Sequence, residues 1–186
     1  MIEPVDLGIC HGYEYAGDPR RTAIVLPGRW LAGMPVNAFA IEGLSSAGWR
    51  SILVWDELFD SSHDSLRWVT DRLDAAAAYA RDAERFLIVG KSLSTQAAGV
   101  AADRGWPAVW LTPLLDQDGV LAMLRRRTAP ALLVGGTADP SWDGALARAL
   151  SDDVLELDGA DHGLARIEHL PQIVAAVAAF AGTEPG

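Results

Sequence analysis

The chain has 186 residues, half of them hydrophobic, and its 15 basic and 25 acidic side chains give a net charge of −10. That length suits one compact domain with a sizeable core, and the acidic balance argues against nucleic acid or another polyanion as a partner. No apolar run reaches the roughly 18 residues of a membrane span, and a lone cysteine, Cys10, excludes an intrachain disulfide and a thiol-based metal cluster.

In chain order, the opening MIEPVDLGIC lacks the basic stretch and long apolar run of a secretory signal, so a cytoplasmic location is expected. Residues 5–15 read as one or two antiparallel edge strands, and Asp18-Pro19-Arg20 reads as the turn into the next strand. Short apolar runs then follow at 22–26 (TAIVL), 51–55 (SILVW), 86–89 (FLIV), 108–111 (AVWL), 131–134 (ALLV) and 154–157 (VLEL). Most are hydrophobic throughout rather than alternating, as a parallel sheet covered on both faces requires. Segments of helical spacing separate them, at 36–47, 64–81, 94–103, 118–126, 141–150 and 170–181. In 64–81, for instance, Leu66, Val69, Leu73, Ala76 and Ala80 recur every three or four positions between charged residues. Residues 182–186 read as a frayed tail.

Repeated strand–helix–strand units predict an α/β architecture, with a doubly wound, mostly parallel sheet and helices on both faces. A closed barrel would need about 250 residues and eight repeats. No internal repeat, low-complexity block or linker divides the chain, so residues 1–186 read as a single domain.

The stretch IVGKSLST, residues 88–95, has two readings. Gly-Lys-Ser ends a P-loop, but that loop needs a glycine five positions before Gly90, where Arg85 stands, and the apolar run 86–89 leaves no room for it. No Gly-x-Gly-x-x-Gly offers a dinucleotide site either. The second reading is a nucleophile elbow, a strained strand-to-helix turn that presents Ser92 between small residues at minus two, Gly90, and plus two, Ser94. Ser94 departs from the usual glycine at some steric cost. The elbow places Ser92 at a helix start, where free amides favour developing negative charge.

Two later strands end in loops rich in chemistry. Strand 131–134 runs into Gly135-Gly136-Thr137-Ala138-Asp139-Pro140, and strand 154–157 into Asp158-Gly159-Ala160-Asp161-His162-Gly163-Leu164. The order Ser, Asp, His, each in a loop at the carboxyl end of a strand, resembles the α/β-hydrolase superfamily, in particular its small esterase-, thioesterase- and dienelactone-hydrolase-like members without a cap domain. The resemblance runs from about Thr22 to the end and rests on GKSLS, GGTADP and GADHGL.

It implies Ser92 as nucleophile, His162 as general base and then acid, and Asp139 as the carboxylate that orients the imidazole. Asp161, adjacent to His162, is the alternative acid, and reads instead as a loop or cap residue. His11, His63 and His169 read as solvated surface histidines. The resemblance also implies an oxyanion hole from the amide of Leu93 and that of Arg29, in a loop where Pro27-Gly28 replaces the frequent His-Gly. Lys91 reads as an elbow residue facing solvent. Trp30, Leu31, Leu114, Leu115, Trp142 and Leu164 follow strand ends, where open sheets bind ligands; an apolar acyl-binding cleft and ordinary loop packing both account for them.

The function expected is hydrolysis of a small ester or thioester through an acyl-serine, with no metal and no organic cofactor. The partner expected is a small-molecule substrate, with no membrane involved. Oligomeric state is not legible. A non-catalytic binding protein, or a non-hydrolytic enzyme such as a cyclase or lyase on the same fold, stays open as an alternative.

Overall fold

The computed structural model describes residues 1–29, 32–56 and 64–183. Eight strands form one sheet: β1 (Ile2–Asp6), β2 (His11–Tyr15), β3 (Asp18–Leu26), β4 (Trp49–Trp55), β5 (Arg85–Lys91), β6 (Ala108–Leu111), β7 (Ala131–Gly136) and β8 (Asp153–Leu157). Their spatial order is β1-β2-β4-β3-β5-β6-β7-β8. β2 pairs antiparallel with both β1 and β4, and every pairing from β4 onward is parallel. The six helices are α1 (Pro35–Ser46), α2 (Ser65–Tyr79), α3 (Ala98–Arg104), α4 (Asp118–Arg125), α5 (Gly144–Leu150) and α6 (Leu170–Thr183).

Side chains alternate across a strand, so each apolar run feeds two cores. Ile24, Ile52, Ile88, Trp110 and Leu133 point to the face covered by α2, α3, α4 and α5. Val25, Leu53, Val89, Leu111 and Val134 point to the opposite face, covered by α1 and α6. The expected doubly wound sheet is the one observed, and only residues 112–117 link β6 to α4, so no cap is inserted there. Among the described residues, no helix is long and apolar enough to cross a membrane.

Three boundaries differ from the sequence reading, each for a local reason. Asp18-Pro19-Arg20 lies inside β3, where the register with β4 shifts between Asp18 and Thr22; the proline, which cannot donate to a ladder, falls in that irregularity. α5 begins at Gly144 rather than near 141, because Asp143 caps it by accepting from the Leu146 amide, while Asp139 and Ser141 are held in a turn. Gly182 and Thr183 are helical, the Thr183 hydroxyl bonding back to the Phe180 carbonyl. Residues 184–186 of the expected tail lie outside the described residues.

Candidate active site

β5 carries the elbow at its carboxyl end. Ser92 follows directly with φ +51°, a conformation that costs a non-glycine residue energy and turns its side chain out of the sheet. The expected helix from 94 opens instead as a 3-10 turn, Ser92–Ala97, before α3. Two hydroxyls account for this: Thr95 Oγ1 donates to the Ser92 carbonyl at 2.6 Å, and Ser94 Oγ donates to the Pro27 carbonyl at 2.5 Å. Ser94 is therefore a tie between the elbow and the loop after β3 as well as a tolerated replacement for glycine. Gly28 presses on the same place, since a Cβ there would lie 3.2 Å from both the Lys91 carbonyl oxygen and Ser92 Cβ.

The loops after β7 and β8 are joined to each other. Thr137 and Ala138 donate their amides to the Leu157 and Ala160 carbonyls, and Thr137 Oγ1 accepts from the Gly159 amide at 2.7 Å. No side chain fits at Gly136, where a Cβ would stand 2.1 Å from the Ala160 carbonyl oxygen. This junction sets Asp139 against His162. His162 Nδ1 lies 2.8 Å from Asp139 Oδ2, and His162 Nε2 lies 2.7 Å from Ser92 Oγ. Asp139 is 3% exposed and its other oxygen accepts from the Ser141 amide at 2.9 Å, so the carboxylate is fixed in place. With Nδ1–H donated to the carboxylate, Nε2 is left to accept the serine proton. Asp161 is held elsewhere: its Oδ1 accepts from the Gly163 amide at 2.9 Å, which makes it a turn residue.

The other expected site residues divide. Leu93 is half-buried in the first turn after Ser92, and Arg29 is exposed one residue beyond Gly28. Trp30, Leu31 and His63 lie outside the described residues. Leu164 is fully buried, at φ +50°, in the core beneath α1 and α6, and Leu115 is buried against the other face, so neither lines a cleft. Trp142 lies flat on Gly135, where a Cβ would meet its ring at 2.0 Å, and its Nε1 donates to Glu156 Oε2 at 2.8 Å. Its ring thus fills the space that Gly135 leaves. Leu114 is half-buried against the α2–α5 side of the core.

Two polar residues also depart from expectation. His169 is buried at the entry to α6, not solvated, because a 3-10 turn, Ile167–His169, leads the chain into the helix. His11 is exposed, as expected, though it belongs to β2. Lys91 is 5% exposed, and its Nζ donates 2.9 Å to the His162 carbonyl and 3.4 Å to Thr112 Oγ1. The period of β5 offered a signal for this: Leu87, Val89 and Lys91 share one face of the strand. Burial depresses the Lys91 pKa to about 8, opposed by the nearby Asp139 and Asp161 carboxylates. Cys10 is no rival nucleophile, for burial and then the Asp56 carboxylate push its thiol up to about 11. Among the described residues, no group of three metal-ligating side chains is assembled.

No protein-family model and no curated protein matches the chain in sequence. Solved structures do match in fold. Est1E from Butyrivibrio proteoclasticus superposes with a TM-score of 0.74 at 16% identity, covering 96% of this chain and 96% of that one. A dienelactone hydrolase from Anabaena variabilis gives 0.75 at 18% identity, over 96% and 94%. A monoacylglycerol lipase from Paleococcus ferrophilus gives 0.73 at 15% identity, over the whole of both chains. The chain therefore has the α/β-hydrolase fold in its small form without a cap.

Proposed function

We propose that this protein is a serine hydrolase that cleaves a small ester or thioester through an acyl-serine intermediate. The observation that carries the reading is the unbroken chain from Ser92 Oγ through both nitrogens of His162 to Asp139 Oδ2, at 2.7 and 2.8 Å. These are ordinary distances for such hydrogen bonds.

In this mechanism Ser92 Oγ attacks the carbonyl carbon as His162 Nε2 takes its proton, which a serine needs at neutral pH. The carbonyl electron pair moves onto oxygen, giving a tetrahedral oxyanion. Amides of Leu93 and Arg29 are proposed to stabilise it, a contribution of about 3 to 4 kcal/mol per donor in enzymes of this kind. Collapse expels the alcohol or thiol, which receives the proton from His162. Water then attacks the acyl-serine by the same steps in reverse roles. Asp139 stabilises the imidazolium that forms twice per cycle. No step calls on a metal or an organic cofactor.

The dienelactone hydrolase and the lipase among the structures of like fold support a carboxylic ester as the bond cleaved. The departures at Pro27 and Ser94 are the sequence features that favour a non-catalytic protein on this fold. They are joined by a hydrogen bond that braces the elbow, which weakens that rival.

A fluorophosphonate probe tests the reading. Ser92 is expected to be labelled in the wild type and unlabelled in Ser92→Ala. On a panel of acyl esters and thioesters, Ser92→Ala and His162→Ala are expected to lose about 10^6-fold in kcat, and Asp139→Asn about 10^4-fold. Folded wild-type protein that resists the probe and turns over no ester would refute hydrolysis.

A further inference from the structure

Lys91 occupies a position that the strand period assigns to the core. Val89 and Leu87, two and four residues earlier on the same face of β5, are fully buried beneath α1 and α6. A methionine would fill such a place without cost, whereas a buried ammonium is expensive unless its partners repay the lost hydration. Among the described residues, Lys91 Nζ forms no ion pair with a carboxylate. Its hydrogen-bond partners are the His162 main-chain carbonyl at 2.9 Å and Thr112 Oγ1 at 3.4 Å. The carboxylates of Asp139, after β7, and Asp161, in the loop after β8, act on it through space.

The backbone around it is strained. Among the described residues, three non-glycines have positive φ, and each is one of the residues this ammonium joins or a near neighbour in sequence: Ser92 follows Lys91, Thr112 accepts from it, and Leu164 stands two residues beyond His162. Strain of this kind persists only where neighbouring contacts over-determine the conformation. A single buried cation thus bridges the nucleophile's strand, the end of β6 and the loop that carries the imidazole.

We propose that Lys91 is a positioning residue, whose buried ammonium clamps the His162 loop to the elbow and keeps the imidazole in register with Ser92 Oγ. The proposal rests on the triad reading above. The clamp acts on the main chain of His162, so it leaves both ring nitrogens free for proton transfer. It also gives the site an alkaline limit. The charged form holds the carbonyl, and burial has brought its loss down to about pH 8, a range where a surface lysine would remain charged. The sign follows: the clamp is complete below that value and weakens as pH rises through it. The groups that face the ammonium, Asp139, Asp161 and the His162 loop, favour the charged form and set where that limit falls.

The test compares wild type, Lys91→Met and Lys91→Arg in three measurements. In Lys91→Met, kcat is expected to fall by about 10- to 100-fold with KM within about twofold, because misplacing one group by about an ångström costs rate rather than affinity. Its Tm is expected to hold or rise, since a costly buried charge is gone. The alkaline limb of the wild-type kcat profile should vanish in Lys91→Met and move to higher pH in Lys91→Arg. Hydrogen exchange is expected to quicken at the amides of residues 158–164 in Lys91→Met. A kcat within about twofold of wild type, an unchanged alkaline limb, or a kcat loss matched by a fall in Tm would each overturn the proposal. If wild-type Ser92 resists the fluorophosphonate, the hydrolase reading fails, and unchanged exchange at 158–164 then overturns the clamp by itself.

Discussion

The residues of this site do more than one job, and Ser94 is the clearest case. At plus two from Ser92, small size satisfies the turn, yet the hydroxyl also holds the Pro27 carbonyl at 2.5 Å while 1% exposed. Ser94→Ala leaves that carbonyl buried without its partner, so a loss of about 1 to 3 kcal/mol in urea unfolding is expected. The same change frees the loop bearing the proposed Arg29 amide, so kcat should drop with little change in KM. Ser94→Gly would bring back the commoner residue and should show the same kcat loss; a gain in rate would refute the brace. Little of this was legible in the sequence. Smallness at position 94 could be read from the motif, but a hydrogen bond to Pro27, 67 positions away, has no sequence signal. Lys91 was misread for a related reason: its charge suggested solvent, while its place in the period of β5 pointed inward.

At the scale of elements, a strand's two faces tell different stories. Gly90 lies on the Trp110 side of β5: a Cβ there would come within 2.5 Å of the Trp110 ring and 3.0 Å of the Ser94 carbonyl oxygen. The minus-two glycine is thus demanded by a neighbouring strand as well as by the elbow. Gly90→Ala is expected to destabilise the protein by about 1 to 3 kcal/mol through overpacking. Its Ser92 labelling rate should fall too, because the ring cannot yield without moving the turn. Equal Tm and equal labelling would show that Trp110 has room to shift. The strands from β3 onward were legible because continuous apolar runs feed two cores at once, and that pattern suits few other structures. The 3-10 turn after Ser92 was not, since side-chain hydroxyls competing for main-chain carbonyls leave no period to read. Leu164 and Trp142 were ambiguous because an apolar residue after a strand end serves a cleft or a core equally well until its neighbours are known.

Across the whole molecule, the two rims of the sheet are built from different residues and contacts. Chain order alone pointed to the rim where Ser92, Asp139 and His162 meet, because parallel strands with right-handed crossovers put all their carboxyl ends on one side. On the opposite rim, the Arg50 guanidinium joins several elements. Arg50, 7% exposed on β4, donates to Thr22 Oγ1 at 2.9 Å, to the Pro19 carbonyl at 3.0 Å, and to both oxygens of Asp82 at 3.1 and 2.6 Å. It therefore ties β3, β4 and the link between α2 and β5. The Arg50 hydrogen bonds hold the Asp82 carboxyl below its usual 3.8. A carboxylate whose folded pKa is lowered contributes stability that is complete above the unfolded value and is lost as pH falls through the folded one. Wild-type stability is thus expected to decline as pH falls below about 3.8 and on through the lowered folded value. Asp82→Asn should be less stable near neutrality and should lose less on acidification, with its urea midpoints converging on wild type at low pH. Ester turnover at neutral pH should be unchanged in that variant, because the substitution lies on the rim away from the triad. Urea titrations from about pH 7 to about pH 2 decide the matter: parallel curves for the two proteins would show that this ion pair is not the source of the acid sensitivity.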